Sequence, residues 1–219
     1  MIILIVWSGF GVTVGAHRLW AHRSFKAKLP LRIFLAIGQS IAGQNCLYIW
    51  CRDHRVHHKF SDTDADPHNS KRGVFFSHVG WLLHKKHPDV IEKGKKLNLD
   101  DLMSDPVVYW QQKMYYPIYF VSAFLLPVVV PPYLWNESWV TSFFVNYIFR
   151  HGYVLHSTWF VNSAAHLWGD KPYDNKIPPS DNKWVSYVTL GEGYHNYHHT
   201  FPYDYSTSEL PLLPNFSKR

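Results

Sequence analysis

MYYPIYFVSAFLLPVVVPPYLW, residues 114–135, runs for 22 positions without a charge. About 20 apolar residues are enough to cross a bilayer as a helix, so this stretch predicts a transmembrane span. Its four prolines would break a soluble helix, but a membrane bundle tolerates them. A short Asn136–Glu137 turn follows, and residues 138–160 read as a return span interrupted by Arg150. Trp135 and Trp139 stand where an interfacial belt would lie. Residues 114–160 therefore predict a helical hairpin. An arginine inside a span is costly unless it is paired or faces a polar cavity. The expectation is that the helix leaves the bilayer before Arg150.

Working outward, residues 1–16 carry no charge and lack the basic leader and small-residue cleavage site of a signal peptide. They read as a partial transmembrane span. Residues 31–50 are apolar apart from Arg32. An interfacial helix is expected there, because histidine clusters flank the segment and a full crossing would separate them. Residues 62–72 (DTDADPHNSKR) read as a turn-rich loop, and 84–106 as a charged peripheral segment. The expected architecture is all-α: a membrane helical bundle with a cytosolic helical cap carrying a histidine-caged dimetal site. It forms a single domain over 1–210, with cap parts at 17–113 and 161–210 and an atypical tail at 211–219.

The formal charge is +6, and its placement is informative. Residues 17–113 hold sixteen Lys/Arg against nine Asp/Glu, while the hairpin tip has no Lys or Arg. The positive-inside tendency then puts the tip in the lumen and the bulk of the chain in the cytosol. The basic block suits an anionic partner such as an acidic lipid surface or a phosphorylated ligand. No nucleic-acid motif interleaves it, so nucleic acid is excluded as a partner. Mean hydropathy is only −0.21, because polar histidine-rich segments are averaged with apolar ones. The two cysteines, Cys46 and Cys51, form no CxxC motif and suggest no disulfide framework.

Fifteen histidines are the dominant compositional feature. Three clusters stand out: His17–His22 as HxxxxH, His54–His57–His58 as HxxHH, and His195–His198–His199 again as HxxHH. On a helix, positions i, i+3 and i+4 share a face, so each HxxHH offers up to three imidazoles to one point. The two rings of HxxxxH stand roughly 140° apart, which suits a bridge between two metals or a helix end. His166 adds a ninth imidazole, and Asn162, one helical turn before it, is placed to hold a metal-bound water. His68, His78, His84, His87, His151 and His156 read as ordinary surface or core residues. Nine imidazoles without thiolates do not fit a structural zinc site. The Glu and ExxH pattern of carboxylate di-iron bundles is also missing. Nine suits two metals with open positions, and the ligands alone are compatible with iron, zinc or copper.

HRLWAH, HRVHH and HNYHH, in this order with a hydrophobic hairpin before the last, resemble the three histidine boxes of membrane acyl-CoA desaturases. RDHRVHHKFSDTDADPHN, FFSHVGWLL, NSAAHLWGDKPYD and GEGYHNYHHTFPYDY are similar to the stearoyl-CoA branch, its animal and insect members in particular. The similarity covers about residues 5–210. It implies two iron ions (Fe2+) held by His17, His22, His54, His57, His58, His166, His195, His198 and His199, with Asn162 holding a water. It implies a fatty acyl-CoA substrate, O2 as cosubstrate, and electrons from cytochrome b5 and NADH-cytochrome b5 reductase. The product is a cis double bond, at carbon 9 or nearby, made in the endoplasmic reticulum membrane by a multi-pass protein whose site faces the cytosol. The matching head-group positions are Asn45, Arg52, Asp53, Lys85 and Lys86, and those shaping a bent acyl tunnel are Gln44, Trp50 and Thr158. Relatives have four spans and a longer N-terminus, so the resemblance implies that the first span and part of the second are missing here. Ile5 falls where some relatives carry a Tyr that closes the tunnel. Two other readings fit the clusters: an acyl hydroxylase or conjugase with the same boxes, or a non-catalytic His-rich membrane metal-binding protein.

Overall fold

A computed structural model describes residues 1–206 and residue 208. The tail expected at 211–219 lies outside the described residues. The regular elements among the described residues are helices, joined by turns and loops with isolated bridges pairing Asp170 with Asp181 and Asp181 with Tyr194. The chain forms two compact units. One holds residues 1–20, 26–51 and 99–155; the other holds 21–25, 52–98 and the described residues from 156 onward.

In the first unit two helices, Ile2–Ala21 and Tyr115–Trp135, are long and apolar enough to cross a membrane. The Ile2–Ala21 run changes from α to π geometry at Gly11. It packs on the helix Leu29–Ala42 through a stacked Trp7–Phe34 pair with ring centroids 5.0 Å apart. The indole of Trp7 donates to the Phe34 carbonyl at 2.9 Å. The two backbones meet at Gly11 and Gly38, where a Cβ on Gly11 would overlap the backbone of Gly38 and Gln39.

The single interfacial helix expected over 31–50 is two helices. Leu29–Ala42 stops at Gly43, which is left-handed, and Asn45 has a positive φ too. The chain restarts as Leu47–Phe60, whose first turn continues across the unit boundary at Cys51. Fourteen residues are too few to cross a bilayer. The break is held by a buried amide network. Gln39 donates to the Asn45 carbonyl at 2.6 Å, Gln111 donates to Gln39 at 2.8 Å, and Leu47 N–H donates to Gln111 Oε1 at 3.0 Å.

Residues 115–135 form the span that the sequence predicts, and Asn136, left-handed at φ 54°, ends it. Ser138 caps the next helix through Thr141 N–H at 3.0 Å, and the helical run continues to Asn162. Proline at position i leaves the carbonyl at i−4 without its helical donor. In α geometry those carbonyls belong to Ala123, Pro127 and Val128, opposite Pro127, Pro131 and Pro132. The returning helix supplies the missing donors. Ser142 Oγ lies 3.2 Å from the Pro127 carbonyl and 2.9 Å from that of Val128. Arg150 Nη2 donates to Ala123 at 2.8 Å.

Arg150 lies within the helical run, which is not among the helices of the described residues long and apolar enough to cross a membrane. It is fully buried, and its Nε and Nη1 donate to the carbonyls of Asn146 and Ile41 at 2.7 and 3.1 Å. The charge is offset by carbonyl oxygens in place of a carboxylate. The partnership of prolines and return helix is testable. Ser142→Ala should cost about 1–3 kcal/mol by stranding two carbonyls, seen as a lower melting temperature in detergent. Adding Pro131→Ala and Pro132→Ala should recover most of that loss, because the helical N–H donors return.

Candidate metal centre

The second unit has a polar interior. His57, Asp62, Asp66, His68, His166, His195, Asn196 and His198 are all buried in it. His54, His57 and His58 lie on the helix Leu47–Phe60, and His195, His198 and His199 on the helix His195–Thr200. His22 follows the end of the first long helix, and Arg55 ties that segment to the second box by donating to the Ala21 carbonyl at 3.0 Å.

The imidazoles of this unit gather in two groups. In one, His22, His54, His58 and His198 bring ligand nitrogens within 4.8 Å of one another. His22 Nε2 and His54 Nε2 are 2.8 Å apart, and His198 Nε2 and His58 Nε2 are 3.0 Å apart. In the other, His57, His166, His195 and His199 converge within the same limit. Its successive Nε2 separations are 3.2 Å for His57–His199, 3.1 Å for His199–His195 and 3.0 Å for His195–His166. His17 lies in the other unit, buried on the stretch Gly11–Ala21.

Each HxxHH, able to offer up to three rings to one point, divides its rings between the two groups. The i and i+4 rings of each motif join one group and the i+3 ring joins the other. His54 and His58 pair while His57 crosses over; His195 and His199 pair while His198 crosses over. At 100° per residue, i and i+4 differ by about 40°, whereas i+3 stands about 60° to the other side of i and about 100° from i+4. One expected relation is interrupted. Asn162 ends the helix Arg150–Asn162, the chain breaks at Ser163, and His166 lies on the separate short helix Ala164–Leu167.

Two carboxylates that the sequence reading left in a turn-rich loop enter the centre. Asp66 places both carboxylate oxygens 3.0 Å from His57 Nδ1. Asp62 Oδ2 lies 2.9 Å from His166 Nδ1. Burial alone would raise both acids, but Asp62 is held well below the ordinary carboxylate range by His166 and Ser70, and Asp66 by His57 and His68. His68, read from sequence as ordinary, is buried with its ring 4.4 Å from that of His57. Burial, reinforced by the neighbouring His57, pushes its pKa down to about 3. The run of three aspartates directly after the second box was the available signal, since a metal-bound histidine usually donates its second nitrogen to a carboxylate or carbonyl.

The third box is fixed from behind. Asp181 Oδ1 accepts from the N–H groups of Asn196 and Tyr197 at 2.9 and 3.2 Å. Asn196, fully buried, accepts from Tyr173 and Asp174 N–H and donates to the carbonyls of Asp174 and Pro179. Gly193 lies against Asn182 and Ser186 with no room for a Cβ.

The donor set fits a first-row transition metal. At about 2.1 Å from one ion, two imidazole nitrogens at right angles stand about 3.0 Å apart, close to the measured separations. Burial first, then the neighbouring imidazoles, holds His199 far below its ordinary pKa, which keeps it neutral as a ligand must be. In the second group, the carboxylates take Nδ1 of His57 and His166, so both rings present Nε2.

The fatty acid desaturase profile matches residues 1–215. The chain belongs to the fatty acid desaturase family. It is 59% identical over 213 residues to an acyl-CoA desaturase of Cyprinus carpio, covering 97% of this chain and 65% of that one. It is 56% identical to an acyl-CoA Delta-9 desaturase of Acheta domesticus, covering 95% and 58%. It is 52% identical to a Delta(9)-fatty-acid desaturase of Caenorhabditis elegans, covering 99% and 64%. The chain thus spans a little under two thirds of the length of these relatives. Family membership and the two long apolar helices make it a membrane protein.

The positions matched to substrate are distributed over both units. In the second unit, Asp53 accepts from Arg52 Nε and Nη2 at 2.9 and 2.8 Å and pairs with Lys86, while Lys85 is exposed. Thr158 is half-buried in that unit too. In the first unit, Trp50 Nε1 donates to Gln44 Oε1 at 3.2 Å, and Asn45 is exposed. His78 and His156 pair at 2.9 Å, and His78 Nδ1 lies 3.0 Å from Ser163 Oγ. The Asn196 lattice yields a prediction. Asn196→Ala strands several backbone groups, and hydrogen exchange should rise selectively over residues 173–179 and 195–200, with a stability loss of about 1–3 kcal/mol.

Proposed function

We propose that this chain is the core of an acyl-CoA desaturase that inserts a cis double bond, at carbon 9 or nearby, into a fatty acyl-CoA. The observation that supports this most is the convergence of eight imidazoles into two adjacent sets in a family whose named relatives are acyl-CoA and Delta-9 desaturases. The ligands in this reading are His17, His22, His54, His57, His58, His166, His195, His198 and His199, and Asn162 holds a water at the centre. Two Fe2+ ions bound there supply the oxidising power, from O2, needed to remove hydrogen from an unactivated methylene.

The protein's own residues supply positioning. Arg52 and Lys86, both tied to Asp53, and the exposed Lys85 bear positive charge suited to the phosphates of the CoA head, with Asn45 as a polar contact. The indole of Trp50, fixed by Gln44, and the hydroxyl-bearing Thr158 are assigned to the bend of an apolar tunnel. A kinked tunnel selects which methylene is held beside the oxidant, because proximity and orientation decide the rate. Electrons come from cytochrome b5 and its NADH-dependent reductase. In this reading the chain is a multi-pass protein of the endoplasmic reticulum membrane; the basic segment 17–113 and the hairpin tip without Lys or Arg favour an orientation with the site on the cytosolic side.

Expression in desaturase-deficient yeast, with double bonds mapped in the extracted lipids, tests the reading. New cis-unsaturation is expected. A hydroxylated acyl product with no new double bond would place the chain with the hydroxylases, and tightly held zinc with no oxygen-dependent turnover under iron supply would make it a metal-binding protein. His57→Ala should abolish turnover while membrane insertion is retained. Lys85→Ala with Lys86→Ala should raise the apparent KM for acyl-CoA by about tenfold, the equivalent of about 1.4 kcal/mol.

A further inference from the structure

The loop between Ser61 and Ser70 is built as one piece around its two buried acids. Asp62 N–H donates to Asp66 Oδ2 at 2.8 Å, and His68 N–H donates to Asp66 Oδ1 at 3.0 Å. Ser70 N–H donates to Asp62 Oδ1 at 2.9 Å, and its hydroxyl donates to the same oxygen. Each carboxylate is therefore locked by backbone N–H groups of the loop itself. Asp66 then faces His57, with His68 Nδ1 3.5 Å from its Oδ1, and Asp62 faces His166.

These two imidazoles come from different helices, yet both belong to the same group, with His195 and His199. We propose that Asp62 and Asp66 are positioning residues for one ion of the pair, the one held by His57, His166, His195 and His199. By accepting Nδ1–H of two ligands from a single rigid loop, they fix the tautomer of both rings and turn both Nε2 atoms onto a common point. Two negative charges behind two ligands also raise the basicity of those imidazoles toward a cation. This inference rests on the metal reading above and adds to it an unequal dependence of the two ions on one loop.

The test loads full-length protein in detergent with Fe2+ alone under anaerobic conditions. It measures the iron-to-protein ratio and the rate of iron release to a chelator. The wild type should hold two ions per chain. Asp66→Ala and Asp62→Ala should each weaken one ion by about 10–100-fold, and the double variant should hold one. The retained ion shows that the chain is still folded. Asp66→Asn keeps an acceptor oxygen for His57 Nδ1–H and should recover much of the loss. Thr63→Ala, an exposed hydroxyl of the same loop, should leave the ratio at two. A wild type that binds no iron overturns the metal reading and this inference with it. A two-iron wild type whose aspartate variants lose neither ion, or lose both together, overturns this inference alone.

Discussion

Neutral imidazole nitrogens that face one another at about 3 Å repel unless a proton or a cation lies between them. The second unit gathers eight such rings, in two sets whose Nε2 atoms stand 2.8–3.2 Å apart where they meet. A neutral ring can relieve one such contact by donating Nε2–H to its neighbour's lone pair, but His199 and His195 each meet two neighbours at Nε2. A cation bound between the rings would relieve all of these contacts. The rest of this unit can be understood as the means of holding mutually repelling groups in place. Asp181 and Asn196 secure the third box, Arg55 the segment bearing His22, and the 61–70 loop the rings of His57 and His166.

The two HxxHH motifs solve the assembly by exchange. Each gives its i and i+4 rings to one set and its i+3 ring to the other, and the assignment is reversed between the second and third boxes. Neither helix alone forms a complete set, so each set requires both. This explains why two short helices suffice, one of only six residues. The cost of bringing them together is offset by the interior of the unit, and an ion bound between them would offset more of it.

Much of this was legible from spacing. The histidine clusters identified the rings that converge, and the uncharged run at 114–135 matches, to within a residue, a helix long and apolar enough to cross a membrane. The partition of rings was not legible, because the pattern i, i+3, i+4 states which residues share a face but not how that face divides between two targets. The roles of Asp62 and Asp66 were hidden by composition: a stretch rich in Asp, Asn and Ser reads as a solvated turn, and burial is a tertiary property. The single helix expected at 31–50 failed at Gly43 and Asn45, both left-handed, where the distant Gln111 stabilises the break.

Arg150 cannot be explained from its own segment. Taken by itself, the residue is a charge in an apolar run. Its meaning depends on the prolines of the preceding helix, which strip donors from carbonyls that have no water to turn to. A guanidinium has five N–H groups and no acceptor, so it answers a surplus of carbonyls better than any other side chain. Ser142 meets the same need two turns earlier. The prolines of 127–132 and the polar residues at 142 and 150 are therefore one feature written in two segments. Neither segment is intelligible without its partner: prolines alone argue against a helix, and an arginine alone argues against a span.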